Sequence, residues 1–189
     1  MIRALPASAR TAMPWKNGGG VTREIAAWPE GAGMDDFAWR VSLAEVAADG
    51  PFSAFPDVDR ILTVVEGAGM DLTVGGERWL VNTRYAPRDF RGDVPTDCRL
   101  LDGPVVNLNV MWRRGAVSTA VVPTVAVVRG RLRLGGGTLV VALDGTAEVA
   151  GVTLGPYDAV QLGAEDAVLH ARGRTAVIGL SLPADAPLA

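Results

Sequence analysis

An all-β fold of the sandwich or barrel kind is what this sequence predicts, on three observations. Helix signals are nearly absent. Short runs rich in Val, Ile, Leu, Thr and Trp follow one another, cut by Gly, Pro and Asp. With 23 glycines and 12 prolines in 189 residues, turns are frequent and long helices would be interrupted. In chain order the best strand candidates are residues 37–46, 60–66, 105–112, 124–128, 138–143 and 176–182. Within the first, Trp39, Val41 and Leu43 alternate with Arg40 and Ser42, so one face is apolar and the other polar. Residues 60–66 open on Arg60 and run on through Ile61, Leu62, Thr63, Val64 and Val65. Residues 105–112 set Asn107, Asn109 and Met111 against Leu108, Val110 and Trp112. The three later runs have the same composition.

A weak internal repeat divides the chain. Leu62 to Gly67 precedes Met70 to Gly76, and Leu139 to Gly145 precedes Ala147 to Gly151. Each half reads as an apolar strand, an acidic residue, a glycine, then a second strand ending in glycine. Pro87 and Asp89 follow the first copy, Pro156 and Asp158 the second. The glycine permits a tight connection, and Pro-x-Asp makes the next turn. This rhythm resembles a cupin barrel. Two cupin-like barrels are therefore expected, residues 1–112 and 113–189, meeting near Arg113-Arg114-Gly115.

Composition excludes several function classes. Hydrophobic residues make up 49% and charged residues 21%, the balance of a folded globular chain. A formal net charge of -3 gives no attraction for a phosphate backbone, so nucleic acid is not an expected partner. No run approaches the roughly 18 apolar residues of a membrane helix. Residues 1–10 lack the apolar stretch of a signal peptide, so a cytoplasmic protein without a membrane partner is expected. Cys98 is the single cysteine, which excludes an internal disulfide, and His170 is the single histidine. A transition-metal site needs several His, Cys or carboxylate ligands brought together, so neither metal nor cofactor is expected. His170 reads as a surface or packed side chain.

The residues that suggest chemistry crowd into the first 112. Trp15-Lys16-Asn17 leads into Gly18, Gly19 and Gly20, then Val21 to Ile25. Three successive glycines allow positive φ and a close approach of backbone N–H groups to a ligand. No Gly-Lys-Ser/Thr follows, so this is not a P-loop. A plain hairpin turn is the alternative. Thr22 and Glu24 share one face of the strand that follows. Arg40 and Ser42, then Asn107 and Asn109, repeat the pattern of a polar pair opposite an apolar face. These pairs face either solvent or a barrel interior. The loop from Gly50 to Arg60 adds Phe52, Ser53 and Phe55 beside Asp59 and Arg60. Arg60 suits a carboxylate, and Phe55 or Trp15 a planar group.

These segments resemble the HutD/Ves family: Trp15 to Ile25, Phe37 to Ser42, Gly50 to Pro56 with Asp59-Arg60, and Asn107 to Met111. The resemblance covers the first half specifically and the second half only in its cupin-like rhythm. It implies a bicupin fold without metal-binding histidines, a setting in histidine utilisation, and a regulatory role. It also implies urocanate or N-formylglutamate as ligand. Where the family motif opens on aspartate, this chain has Asn107, and a charge is lost.

A small-molecule carboxylate bound in the first barrel is thus the expected partner. Trp15, Asn17, Thr22, Glu24, Arg40, Ser42, Arg60 and Asn109 would form the pocket, with Arg60 and Trp15 at its mouth and Gly18 to Gly20 shaping its rim. Arg40 or Arg60 would bind the carboxylate, with Glu24 the partner of Arg40 in the free protein. The rival reading is a metal-independent lyase, isomerase or hydrolase using Glu24 as general base. A third is an assembly module, for which a homodimer is the option kept open.

Overall fold

The computed structural model describes residues 1–116 and 122–180. It is all-β, and the three-residue turn Ala7–Ala9 is the one helical element among the described residues. No helix is long and apolar enough to cross a membrane among those residues. Two compact units emerge, one of Thr11–Ala116 and one of Met1–Arg10 with the described residues from 122 onward.

Strand β1 (Ile2–Leu5) belongs to the second unit. The first unit runs through β2 (Ala12–Pro14), β3 (Gly20–Trp28), β4 (Trp39–Val46), β5 (Gly50–Phe52) and β6 (Val58–Glu66). It continues with β7 (Met70–Val74), β8 (Glu77–Val81), β9 (Arg88–Arg91), β10 (Thr96–Leu100) and β11 (Val105–Arg113). One sheet has the order β2-β3-β4-β11-β6-β9, the other β5-β10-β7-β8. Together they form a nearly closed barrel around a shared core. Val46, Leu62, Val64, Phe90 and Val105 come from the first sheet, and Met70, Leu72, Val74, Val81 and Cys98 from the second. Burial pushes the Cys98 thiol up to about 12, so it packs as a small hydrophobe.

The inward positions of β4, β6 and β11 change character along their length. At one end they are Val46, Val64 and Val105, which join the core. At the other they are Arg40, Arg60 and Met111, which lie opposite one another in register. One end of the barrel is therefore filled by packing, and the other is free to be a pocket.

The second unit contains β12 (Thr124–Leu134), β13 (Thr138–Ala142), β14 (Ala147–Val149), β15 (Val152–Leu154), β16 (Ala159–Leu162) and β17 (Ala167–Gly179). Its sheet has the order β1-β16-β13-β17-β14-β15, with β12 also on β17. The interior is apolar, built from residues such as Leu134, Val140, Val149, Leu154, Val160 and Leu169.

The internal repeat has a structural counterpart. β6 pairs with β9 and β7 with β8, as β13 pairs with β16 and β14 with β15. Both hairpins turn through two left-handed residues, Gly75-Gly76 with φ of 58° and 88°, and Ala150-Gly151 with 51° and 80°. Positive φ at both central residues matches the right-handed twist of the flanking strands.

Three differences from the sequence reading have physical causes. Residues 2–5 were expected in the first domain, but they pair with β16, from Ile2 opposite Leu162 to Leu5 opposite Ala159. β1 thereby covers an edge that β16 would otherwise expose. The strand expected at 124–128 continues to Leu134, because a register shift beside Gly130 lets the chain keep pairing with β17. The strand expected at 176–182 starts at Ala167; its residues 181 and 182 lie outside the described residues.

Asp71 ties three strands of the smaller sheet together. It accepts hydrogen bonds from Arg78 Nε at 2.9 Å and from Arg99 Nη2 at 2.7 Å. These guanidinium partners hold its carboxyl down at about 2. A depressed carboxylate stabilises the fold above its unfolded value, about 3.9, and that contribution disappears as pH falls through the folded value. Melting temperature should therefore decline between about pH 4 and pH 2, and Asp71→Asn should flatten that decline. A variant with the parental acid profile would show that Asp71 has no part in it.

Candidate functional site

Within the first unit lies a cavity of about 570 Å³. Trp15, Asn17, Thr22, Arg40, Ser42, Arg60 and Asn109 line it, as do Lys16, Phe52, Phe55, Asn107 and Met111. Period-two alternation and register bring them together. Ser42 lies opposite both Asn109 on β11 and Glu24 on β3, and Thr22 lies opposite Ala44. Their alternate neighbours Trp39, Val41, Leu108 and Val110 are buried too.

Glu24 departs from the expected set, because it is not among the cavity-lining residues. It stands beside the cavity and accepts a hydrogen bond from Arg40 Nε at 2.7 Å. Arg40 is thus a buried cation that already has a carboxylate partner.

Arg60 is different. It was expected at the mouth, yet it is only 6% exposed. Its Nε and Nη2 donate to Asn109 Oδ1 at 3.3 and 3.2 Å, a neutral acceptor. Its guanidinium carbon lies 5.3 Å from the Phe52 ring centroid and 5.1 Å from that of Phe90. No carboxylate among the described residues forms an ion pair with it. Burial pushes its pKa down to about 10, so it remains charged at neutral pH.

Trp15 forms part of the rim. Its Nε1 donates to Thr22 Oγ1 at 2.8 Å, and its ring meets Phe52 edge-on at 6.3 Å. The three glycines do not present N–H groups to the cavity as a cradle would. Gly18 N donates to Trp15 O at 3.0 Å, and Gly19 N to Asn17 Oδ1 at 3.0 Å. Their function is to shape the loop that carries Trp15 and Asn17.

Two kinds of contributor escaped the sequence reading. Period two identifies Asn107 as the partner of Asn109 on a polar face, but the expected pocket set leaves it out. Phe90 comes from β9 by tertiary placement, which nothing local announces. A second cavity of about 600 Å³ lies in the other unit, against an exposed face bearing Arg131, Glu148, His170 and Arg172. Among the described residues no three His, Cys, Asp or Glu side chains cluster as a metal site would require.

The HutD family pattern matches residues 7–184. This chain belongs to the HutD family. HutD from Pseudomonas fluorescens SBW25, solved in a formate condition, is 34% identical with a TM-score of 0.85. That match covers 96% of this chain and 98% of the other. An uncharacterised 21.2 kDa protein of the hutC 3' region of Pseudomonas putida is 40% identical over 100 residues, 53% of this chain and 52% of its own length. Protein Ves of Cronobacter sakazakii is 39% identical over 101 residues, 53% of this chain and 54% of its own. The HutD-family chain thus spans about half the length of the curated relatives it matches. At 10% identity, the pirin YhhW of Escherichia coli shares the cupin-like fold alone, with a TM-score of 0.72 over 97% of this chain and 100% of that one.

Proposed function

We propose that this chain is a metabolite-binding regulatory protein of histidine utilisation, built from two cupin-like barrels. Its Thr11–Ala116 unit holds a carboxylate such as urocanate or N-formylglutamate. The observation that carries this reading is Arg60, a buried cation at the cavity with a neutral amide for company. An uncompensated buried charge is costly, and a ligand carboxylate supplies the missing partner. Two parallel N–H···O bonds from the guanidinium fork would orient it, and the aromatic walls suit a planar body.

Binding fits this geometry better than catalysis. Glu24, the candidate general base, is engaged by Arg40 and stands outside the cavity lining. Ser42 Oγ has no hydrogen-bond partner among the described residues, so no base among them activates it. The single histidine, His170, lies in the other unit. The second unit's core is apolar, whereas the cavity of the first unit holds the buried cation that a carboxylate needs.

Calorimetric titration of urocanate and of N-formylglutamate into the native protein tests the reading. Saturable binding of at least one, with one site per chain and competition by excess formate, is the expected result. Absence of binding by both overturns it.

A further inference from the structure

The Arg60 end of the cavity accounts for one end of a ligand, and two other groups remain unmatched. Asn107 Oδ1 and Ser42 Oγ are buried polar atoms without a hydrogen-bond partner among the described residues. Their residues are 2% and 1% exposed, and both line the cavity. Asn107 is oriented by its own donor, since Nδ2 points to Ala44 O at 3.4 Å. That leaves the carbonyl oxygen as an acceptor. Buried polar atoms without partners are rare and costly, so a pair of them on one cavity wall needs a reason.

Register gives the spacing. The guanidinium of Arg60 reaches Asn109, and Asn107 lies two residues further along β11 on the same face. Two residues of strand span about 7 Å. Ser42 lies directly opposite Asn109 and two residues from Ala44, which is opposite Asn107.

We infer that Asn107, with Ser42 between it and the Arg60 end, forms a neutral second subsite that accepts an N–H of the ligand, about 7 Å along β11 from Asn109, the residue that Arg60 binds. The inference rests on the carboxylate reading of that Arg60 end. It narrows the ligand class to an extended monocarboxylate whose far end carries an uncharged N–H donor. A second carboxylate at that end would meet the Asn107 carbonyl oxygen, since one N–H of the amide is directed to Ala44 O and the oxygen faces the cavity unmatched. A dicarboxylate is therefore disfavoured.

Two probes of one shape separate the ends of the site. Urocanate at about pH 8 offers an acrylate and a neutral imidazole N–H. 3-(2-Furyl)acrylate offers the same planar acrylate with no N–H. The native protein should bind urocanate about tenfold or more tightly than the furan, because the furan leaves a buried acceptor unmatched. Asn107→Leu should shrink that ratio below about threefold. Ser42→Ala, a smaller change that keeps the strand intact, should narrow the ratio as well. Equal binding of both probes to native protein, with both lost in Arg60→Met, would overturn the second subsite and leave the carboxylate site standing. So would a native ratio in both subsite variants. If neither probe binds native protein, the second subsite fails, and the carboxylate reading then stands or falls with N-formylglutamate.

Discussion

Arg60→Met should weaken urocanate binding by roughly a hundredfold while leaving the melting temperature of the ligand-free protein unchanged or higher. The first half follows from removing a charge-assisted, bidentate contact in a desolvated site, which costs about 2 to 4 kcal/mol. The second follows from the sign of the pKa shift. Burial lowers Arg60 from 12.5 to about 10. The unfolded chain therefore holds the proton more tightly than the folded one, so at neutral pH the buried charge costs the fold roughly 3 kcal/mol. Met fills much of the same space without the charge. Against that gain, Asn109 Oδ1 loses its donors, a penalty of about 1 to 3 kcal/mol. The two terms are of similar size, which is why stability should not fall. Arg40→Ala provides the contrast, because Arg40 already has Glu24 as partner and the ligand depends on it less. Calorimetry and thermal melting of the two variants decide the matter. A fall of several degrees in Arg60→Met, with unchanged binding, would make Arg60 a packing residue rather than an anchor.

How much of this was legible in the sequence depended on how local each cause was. The all-β character and the principal strands of the first unit followed from composition and period-two alternation. The same alternation put Thr22, Arg40, Ser42 and Asn109 on the polar faces of their strands, and it left open whether those faces met solvent or the cavity that they line. It did not separate Arg40 from Arg60 as the anchor. What distinguishes them is that β3 brings Glu24 beside Arg40, whereas Phe52 and Phe90 enclose Arg60 from β5 and β9. Those partners are set by sheet order, and no spacing along the chain encodes it. The place of β1 was equally hidden. Its four residues are largely exposed, and only pairing with β16 assigns them to the second unit.

The Gly18-Gly19-Gly20 run shows the same limit most sharply, and it yields the second large effect. Gly20→Ala should cost at least about 2 kcal/mol of stability and displace Trp15, whereas Gly18→Ala should cost about 1 kcal/mol and leave the pocket intact. In sequence the two positions look alike. In the fold, Gly18 has φ of 71° with nothing within 4 Å of an added Cβ, so an alanine there pays only for left-handed backbone. An added Cβ at Gly20 would stand 2.4 Å from the backbone oxygen of Glu45 and 3.1 Å from two atoms of the Trp15 ring. The Glu45 oxygen belongs to β4, which pairs with β3 along most of its length, so that backbone has little room to yield. The Trp15 ring gives way more easily, and its movement breaks the hydrogen bond from Nε1 to Thr22 and the edge contact with Phe52. Binding of a planar carboxylate should then weaken together with stability in Gly20→Ala, and tryptophan emission should shift to the red as Trp15 meets water. If Gly20→Ala melts like the parent and binds urocanate as tightly, the close approach of β3, β4 and Trp15 is not what this glycine provides.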